Sequence, residues 1–191
     1  GYTFIDKDEK KPTSSSSSFK SVHPKWTLDQ IILPASLREQ LMDIISFCKN
    51  KDKIIQEWEL DKFMHGEGCI GINLWGIPGT GKSSAAEAIA SALGMNIIQA
   101  SYSSLMDSLH GNTEKNLTKL FESAVSENSV ILFDEADGIL SARKSGGSNS
   151  ETNNLTKSHL LNILDRSTAI VIFTTNFFKS YDRAFVRRIL W

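Results

Sequence analysis

Eight consecutive residues carry the first chemical signal: Gly76-Ile77-Pro78-Gly79-Thr80-Gly81-Lys82-Ser83. They fit the pattern G-x-x-x-x-G-K-[ST]. Glycines allow a tight turn whose N–H groups face an approaching anion. Lys82 adds a mobile point charge that can reach β- and γ-phosphates. Ser83 offers a hydroxyl to Mg²⁺, a cation that takes oxygen ligands and keeps several waters. The candidate phosphate contacts are Gly76, Pro78, Gly79, Thr80, Gly81, Lys82, Ser83 and the adjoining Ser84.

A second group lies downstream. Asp134 and Glu135 follow the apolar run Val130-Ile131-Leu132-Phe133. Asp134 can hold a Mg²⁺ shell, and Glu135 can polarise a water for attack on a γ-phosphate. Carboxylates also decorate ordinary solvated strand ends, so the pair takes its meaning from the loop upstream. Asn176 closes another apolar run, Ala169 to Phe173, after Thr174 and Thr175. Its amide can hydrogen-bond a phosphate or a water; a turn-forming Asn is the plainer alternative. Arg187 and Arg188 could cap a helix C-terminus. They could instead reach a neighbouring subunit's nucleotide and stabilise transition-state charge. Spacing does not choose between these.

These residues need elements to hold them. Ile70 to Trp75 reads as a strand entering the glycine loop, and Ser84 to Leu93 as a helix leaving it, stopped by Gly94. Asn96 to Ala100, Ser129 to Phe133 and Ala169 to Phe173 read as further strands. A helix from Thr113 to about Glu127 puts Leu117, Leu120, Phe121, Ala124 and Val125 on one face. Ser141 to Asn154 reads as a mobile Ser/Gly/Asn-rich loop, ahead of a helix with Leu160, Leu161, Ile163 and Leu164. Before the loop, Ser36 and Glu39 have capping-box spacing and open a helix. Ile54, Ile55, Trp58 and Leu60 suggest a separate short amphipathic piece. Strands apolar on both faces, alternating with helices, predict an α/β fold: a parallel sheet with helices on both faces. Ligands in such folds bind beyond the carboxyl ends of the strands. The glycine loop, Asp134 and Asn176 then share one rim.

Bulk properties narrow the class. The chain has 191 residues, 21 Lys+Arg, 22 Asp+Glu and a formal charge of -1. That balance gives no electrostatic case for nucleic acid or an anionic membrane surface. No apolar run approaches a membrane span. The two cysteines, Cys48 and Cys69, read as buried free thiols, and the histidines lack zinc spacing. A cytoplasmic location is the default. Residues 1–21, with serine throughout Ser14 to Ser18, read as a flexible linker. Residues 22–69 form a lead-in, and residues 70–191 the core. Without an initiator Met, and stopping at Arg188-Ile189-Leu190-Trp191, the chain reads as an excerpt of a longer protein.

Taken together, GIPGTGKS (Gly76–Ser83), VILFDEAD (Val130–Asp137), IFTTN (Ile172–Asn176) and DRAFVRRI (Asp182–Ile189) resemble an AAA+ ATPase module of the original AAA clade, a family of the P-loop NTPase fold. Ile32-Leu33-Pro34 and Gly111 to Leu117 match as well, so the resemblance runs from about Trp26 to the end. It implies ATP and Mg²⁺ as ligands. Lys82 and Ser83 would bind them, with Asp134 as the Mg²⁺-associated acid and Glu135 as base. Asn176 would be the first sensor. Arg187 falls where the family has an arginine finger, with Arg188 adjacent. The resemblance also implies a hexameric ring of identical subunits and a protein partner remodelled by ATP hydrolysis. A nucleotide-controlled scaffold with slow hydrolysis is the alternative. A nucleic-acid motor is less favoured, and a small-molecule kinase less still. One departure concerns the family's aromatic–hydrophobic–Gly pore loop, which reads Leu109-His110-Gly111 here and puts threading in doubt. The family's fifth core strand and helical lid would follow Arg188, outside this sequence, and their lack should weaken nucleotide binding.

Overall fold

The computed structural model describes residues 19–57, 68–101, 113–141, 148–176 and 181–189. Alternation along the apolar runs dictates the architecture. Val130 and Leu132 of strand β4 (Ser129–Asp134) face one way; Ile131 and Phe133 face the other. Ile170 and Ile172 against Val171 and Phe173 repeat this in β5 (Ile170–Thr175). Side chains alternate with a period of two, so each strand feeds two cores and must be covered twice.

Helices α1 (Ala35–Glu57) and α2 (Lys82–Leu93) cover the first face through Leu41, Ile44, Ile45, Ala86, Ile89 and Ala90. The second is covered by α3 (Thr113–Ser126), by the single turns α4 (Asp137–Leu140) and α6 (Arg183–Val186), and by α5 (Ser148–Arg166). Here the rings of Phe133 and Phe173 stack with centroids 5.5 Å apart.

With β1 (Ser21–Val22), β2 (Ile70–Trp75) and β3 (Asn96–Ser101), the sheet has five strands in the order β1-β3-β4-β5-β2. The pairs β3–β4, β4–β5 and β5–β2 are parallel, as the sequence predicts. An antiparallel addition was not expected: β1 pairs with β3 through Ser21↔Ile98 and Val22↔Ile97. It starts at the last residue of the segment read as linker. Ser21 and Ser129 share a 2.7 Å hydroxyl hydrogen bond there. From β1 the chain forms a strap over α2, where the Lys25 N–H donates to Glu87 Oε2 at 2.6 Å. It then meets α1, where Arg38 donates to the Leu28 carbonyl at 3.0 Å and to Asp29 at 2.8 Å.

Three further differences have physical reasons. Helix α1 runs unbroken to Glu57, so Ile54 and Ile55 continue the first helix. The expected capping box is not the start, because the Pro34 carbonyl already accepts from Leu37 and Arg38, both at 3.0 Å. Helix α5 begins at Ser148, inside the stretch read as loop; tertiary packing of its later leucines overrides weak local propensity. Residues 1–18, Trp58, Leu60, residues 102–112 with Leu109 and His110, and residues 190–191 lie outside the described residues.

Cys48 and Cys69 are free and partly buried, and burial pushes both thiols up to about 11. No helix among the described residues is long and apolar enough to cross a membrane. Past α6, Ile189 bridges Gly71 of β2 in parallel. A Cβ on Gly71 would sit 2.7 Å from the Arg188 carbonyl oxygen. Gly71→Ala should therefore destabilise the fold by roughly 1–3 kcal/mol, the range for overpacking, measured as a lowered urea midpoint. An unchanged midpoint would mean that the 188–189 backbone yields freely.

Candidate nucleotide-binding site

The glycine loop joins β2 to α2. Gly79 and Gly81 have φ of 80° and 82°, values that a Cβ would strain. Thr80 Oγ1 donates to the Ile77 carbonyl at 2.9 Å across the turn. The Gly76 N–H donates to the Thr175 carbonyl at 3.2 Å, fixing the loop's entry to β5. No side chain caps the start of α2, so its positive pole is directed at the loop's concavity.

Lys82 Nζ donates to the carbonyls of Gly76 and Ile77 at 2.8 and 3.1 Å and to Asn176 Oδ1 at 3.0 Å. Ser83 Oγ lies 3.1 and 3.3 Å from the two oxygens of Asp134. Thr174 Oγ1 donates a short hydrogen bond to Asp134, and Gln99 Nε2 donates to the same carboxylate at 3.2 Å. Glu135 adopts φ 53°, the left-handed region, with its N–H donating to Thr174 Oγ1 at 3.2 Å. Asp137, at the start of α4, accepts from the Asn176 N–H at 3.2 and 3.3 Å.

These contacts line one polar cavity of about 420 Å³, bounded by Pro78, Gly79, Gly81, Lys82, Ser83, Ser84, Asp134, Glu135, Thr174 and Asn176. A second, mainly apolar cavity of about 690 Å³ shares Gly81 and Lys82 with it. Its walls include Leu33, Leu37, Trp75, Thr80 and Val186, with Asn73 and Tyr181 as polar members. Asn73 Nδ2 donates to the Tyr181 hydroxyl at 3.3 Å, which also shares a short hydrogen bond with Thr175. A polar basin that opens beside an apolar one suits a ligand with an anionic end and a flat apolar end.

The two arginines separate. Arg188 Nε and Nη2 grip Asp165 at 2.6 and 2.5 Å, and Nη1 donates to the Ala184 carbonyl at 2.6 Å. The hydrogen bonds to Asp165 raise its pKa above the ordinary arginine value. Arg187 ends α6, is exposed, and lines neither cavity.

With that geometry in place, the sequence signature of the "ATPase family associated with various cellular activities (AAA)" matches residues 72–190. The chain belongs to this AAA family. An uncharacterized AAA family ATPase, y4kL of Sinorhizobium fredii, is 29% identical over 185 residues, covering 94% of this chain and 54% of that one. The ATP-dependent zinc metalloprotease FtsH of Ureaplasma parvum is 31% identical, over 80% of this chain and 21% of its own. Spastin of Naegleria gruberi reaches 46% over 40% of this chain and 15% of its own. The crystal structure of the FIGL-1 AAA domain superposes with a TM-score of 0.66 at 26% identity, covering 91% of this chain and 56% of that one. The chain thus spans about half the length of y4kL and less of FtsH and spastin.

In this AAA chain the sequence reading gathered Lys82, Ser83, Asp134, Glu135 and Asn176, and the structure brings them together. It missed Thr174, Gln99 and Asp137, which hold those residues in place, and the apolar cavity. One signal was available: two threonines ending a fully apolar strand next to an acidic strand tip. The cavity's walls come from distant segments, and no local pattern joins Leu33 to Tyr181.

Proposed function

We infer that this AAA module binds ATP with Mg²⁺ and hydrolyses it. The observation that carries this is the convergence of Lys82, Ser83, Asp134, Glu135 and Asn176 on one cavity. The apolar cavity next to it would take the base. Gly79, Gly81 and the first turn of α2 present amides to the phosphates, and Lys82 turns from its carbonyl partners to the γ-phosphate. A hydroxyl and a carboxylate are the hard-oxygen donors that Mg²⁺ accepts, so Ser83 and Asp134 fit that ion. When bound, the ion would neutralise negative charge on the triphosphate. Glu135 accepts a proton from the attacking water, and Asn176 orients the γ-phosphate end through its amide.

Arg187 is exposed and lies outside its own chain's cavities. This supports a ring, hexameric by the family resemblance, in which it reaches the neighbour's phosphate. Arg188 then serves as a brace through Asp165 rather than as a second finger. A protein partner, remodelled as subunit contacts switch with nucleotide state, follows from the resemblance, and the free thiols Cys48 and Cys69 suit a cytoplasmic setting.

Lys82→Ala and Arg187→Ala subunits, each inactive alone, test it by mixing. At equal ratio roughly a quarter of interfaces would pair an intact cradle with an intact finger. ATP turnover should recover in proportion. No recovery at any ratio would overturn the role of Arg187 across an interface. No hydrolysis by wild type would overturn the ATPase reading itself.

A further inference from the structure

Thr174 lies beside Asp134 because the β4–β5 register pairs Phe133 with Phe173. It is only 1% exposed. Its hydroxyl has one proton and two lone pairs, and two neighbours use them. The proton goes to Asp134 Oδ1, and the oxygen accepts the Glu135 N–H at 3.2 Å. Its own carbonyl accepts the Ala136 N–H at 2.8 Å. One residue of β5 thus holds three consecutive residues beyond the core of β4.

The middle one needs holding. Glu135 is not glycine, yet its φ is 53°. A left-handed residue with a Cβ persists only when its surroundings fix it. Asp134 is also constrained from its other side, by Ser83 at 3.1 Å and Gln99 at 3.2 Å on Oδ2. The Thr174 hydroxyl sets both the tilt of the Asp134 carboxylate and the peptide that aims Glu135.

We propose that Thr174 is a positioning residue for this acidic pair, coupling the Mg²⁺-facing carboxylate to the water-facing one through a single hydroxyl. The proposal rests on the ATPase reading. A residue that only filled space and satisfied a buried polar group would affect stability and leave metal dependence alone.

Valine has nearly threonine's shape without the hydroxyl, whereas serine keeps the hydroxyl. Thr174→Val and Thr174→Ser are therefore compared with wild type by calorimetric titration of a non-hydrolysable ATP analogue, with Mg²⁺ and with EDTA. Thermal midpoints are recorded alongside, and Thr174→Ala replaces the valine variant if that one does not fold. In EDTA all should bind the analogue within about twofold of one another, because Lys82 and the loop are untouched. The gain in affinity on adding Mg²⁺ should fall roughly tenfold in Thr174→Val, the scale of one lost charge-assisted hydrogen bond. Half-saturating Mg²⁺ for turnover should rise with it, and Thr174→Ser should restore both. Wild type that hydrolyses ATP while Thr174→Val keeps the full Mg²⁺ gain would overturn the positioning role and leave the ATPase reading standing. Wild type that binds no analogue would overturn both.

Discussion

Glu135→Gln should cut ATP turnover roughly 10²–10⁴-fold, the range for a general base, while nucleotide affinity stays near that of wild type. The amide is nearly isosteric with the carboxylate but takes no proton from water. Phosphate binding is assigned to other residues, because Lys82 and Ser83 reach the cavity from α2 while Glu135 follows the tip of β4. The backbone bond from Glu135 N–H to Thr174 persists whatever the side chain, so the strand tip should keep its shape. Phosphate release and equilibrium binding of a fluorescent ATP analogue check the two halves. Undiminished release would remove Glu135 from its role. Lost binding would show that its charge shapes the cradle.

Lys82→Ala should abolish measurable nucleotide binding, weakening it by at least roughly 10²-fold if two charge-assisted contacts are lost. The side chain already bridges two carbonyls of the loop and Asn176 on the neighbouring strand. On the ATPase reading it would exchange those neutral acceptors for phosphate oxygens, a stronger pairing for an ammonium. The same substitution leaves the fold nearly intact, at a cost of about 1 kcal/mol, because the three acceptors lie near a cavity that water can enter. Binding and thermal unfolding should therefore part company: affinity collapses while the midpoint barely moves. A variant that still bound ATP would take the phosphates away from this loop.

The fold was legible wherever one residue type answered one physical demand. The strand Ile70–Trp75 is found as read, and Gly94 ends α2 in a left-handed conformation. The runs Val130–Phe133 and Ala169–Phe173 announced a sheet covered on both faces, and the two cores divide those residues by parity. The grouping of Lys82, Ser83 and Asp134 could be expected because phosphate and Mg²⁺ restrict the donor types, and the structure places all three on one cavity. What escaped was relational. Thr174 matters through its register opposite Asp134, and register is a tertiary property. Arg187 and Arg188 are adjacent in sequence; in the structure Asp165 on α5 engages Arg188, while Arg187 stays exposed. The two-residue strand β1 was missed because so short a run carries no periodic signal.

That short strand and the strap behind it have a mechanical meaning. Tension applied ahead of Phe19 meets that side chain's packing on the second core, then the strand pairings and the serine–serine contact at the sheet's margin. Beyond them it travels over α2 towards Leu33, at the edge of the apolar cavity. Such a border unravels at lower free energy than the interior. A load on this end of the chain therefore reaches the wall of the apolar cavity.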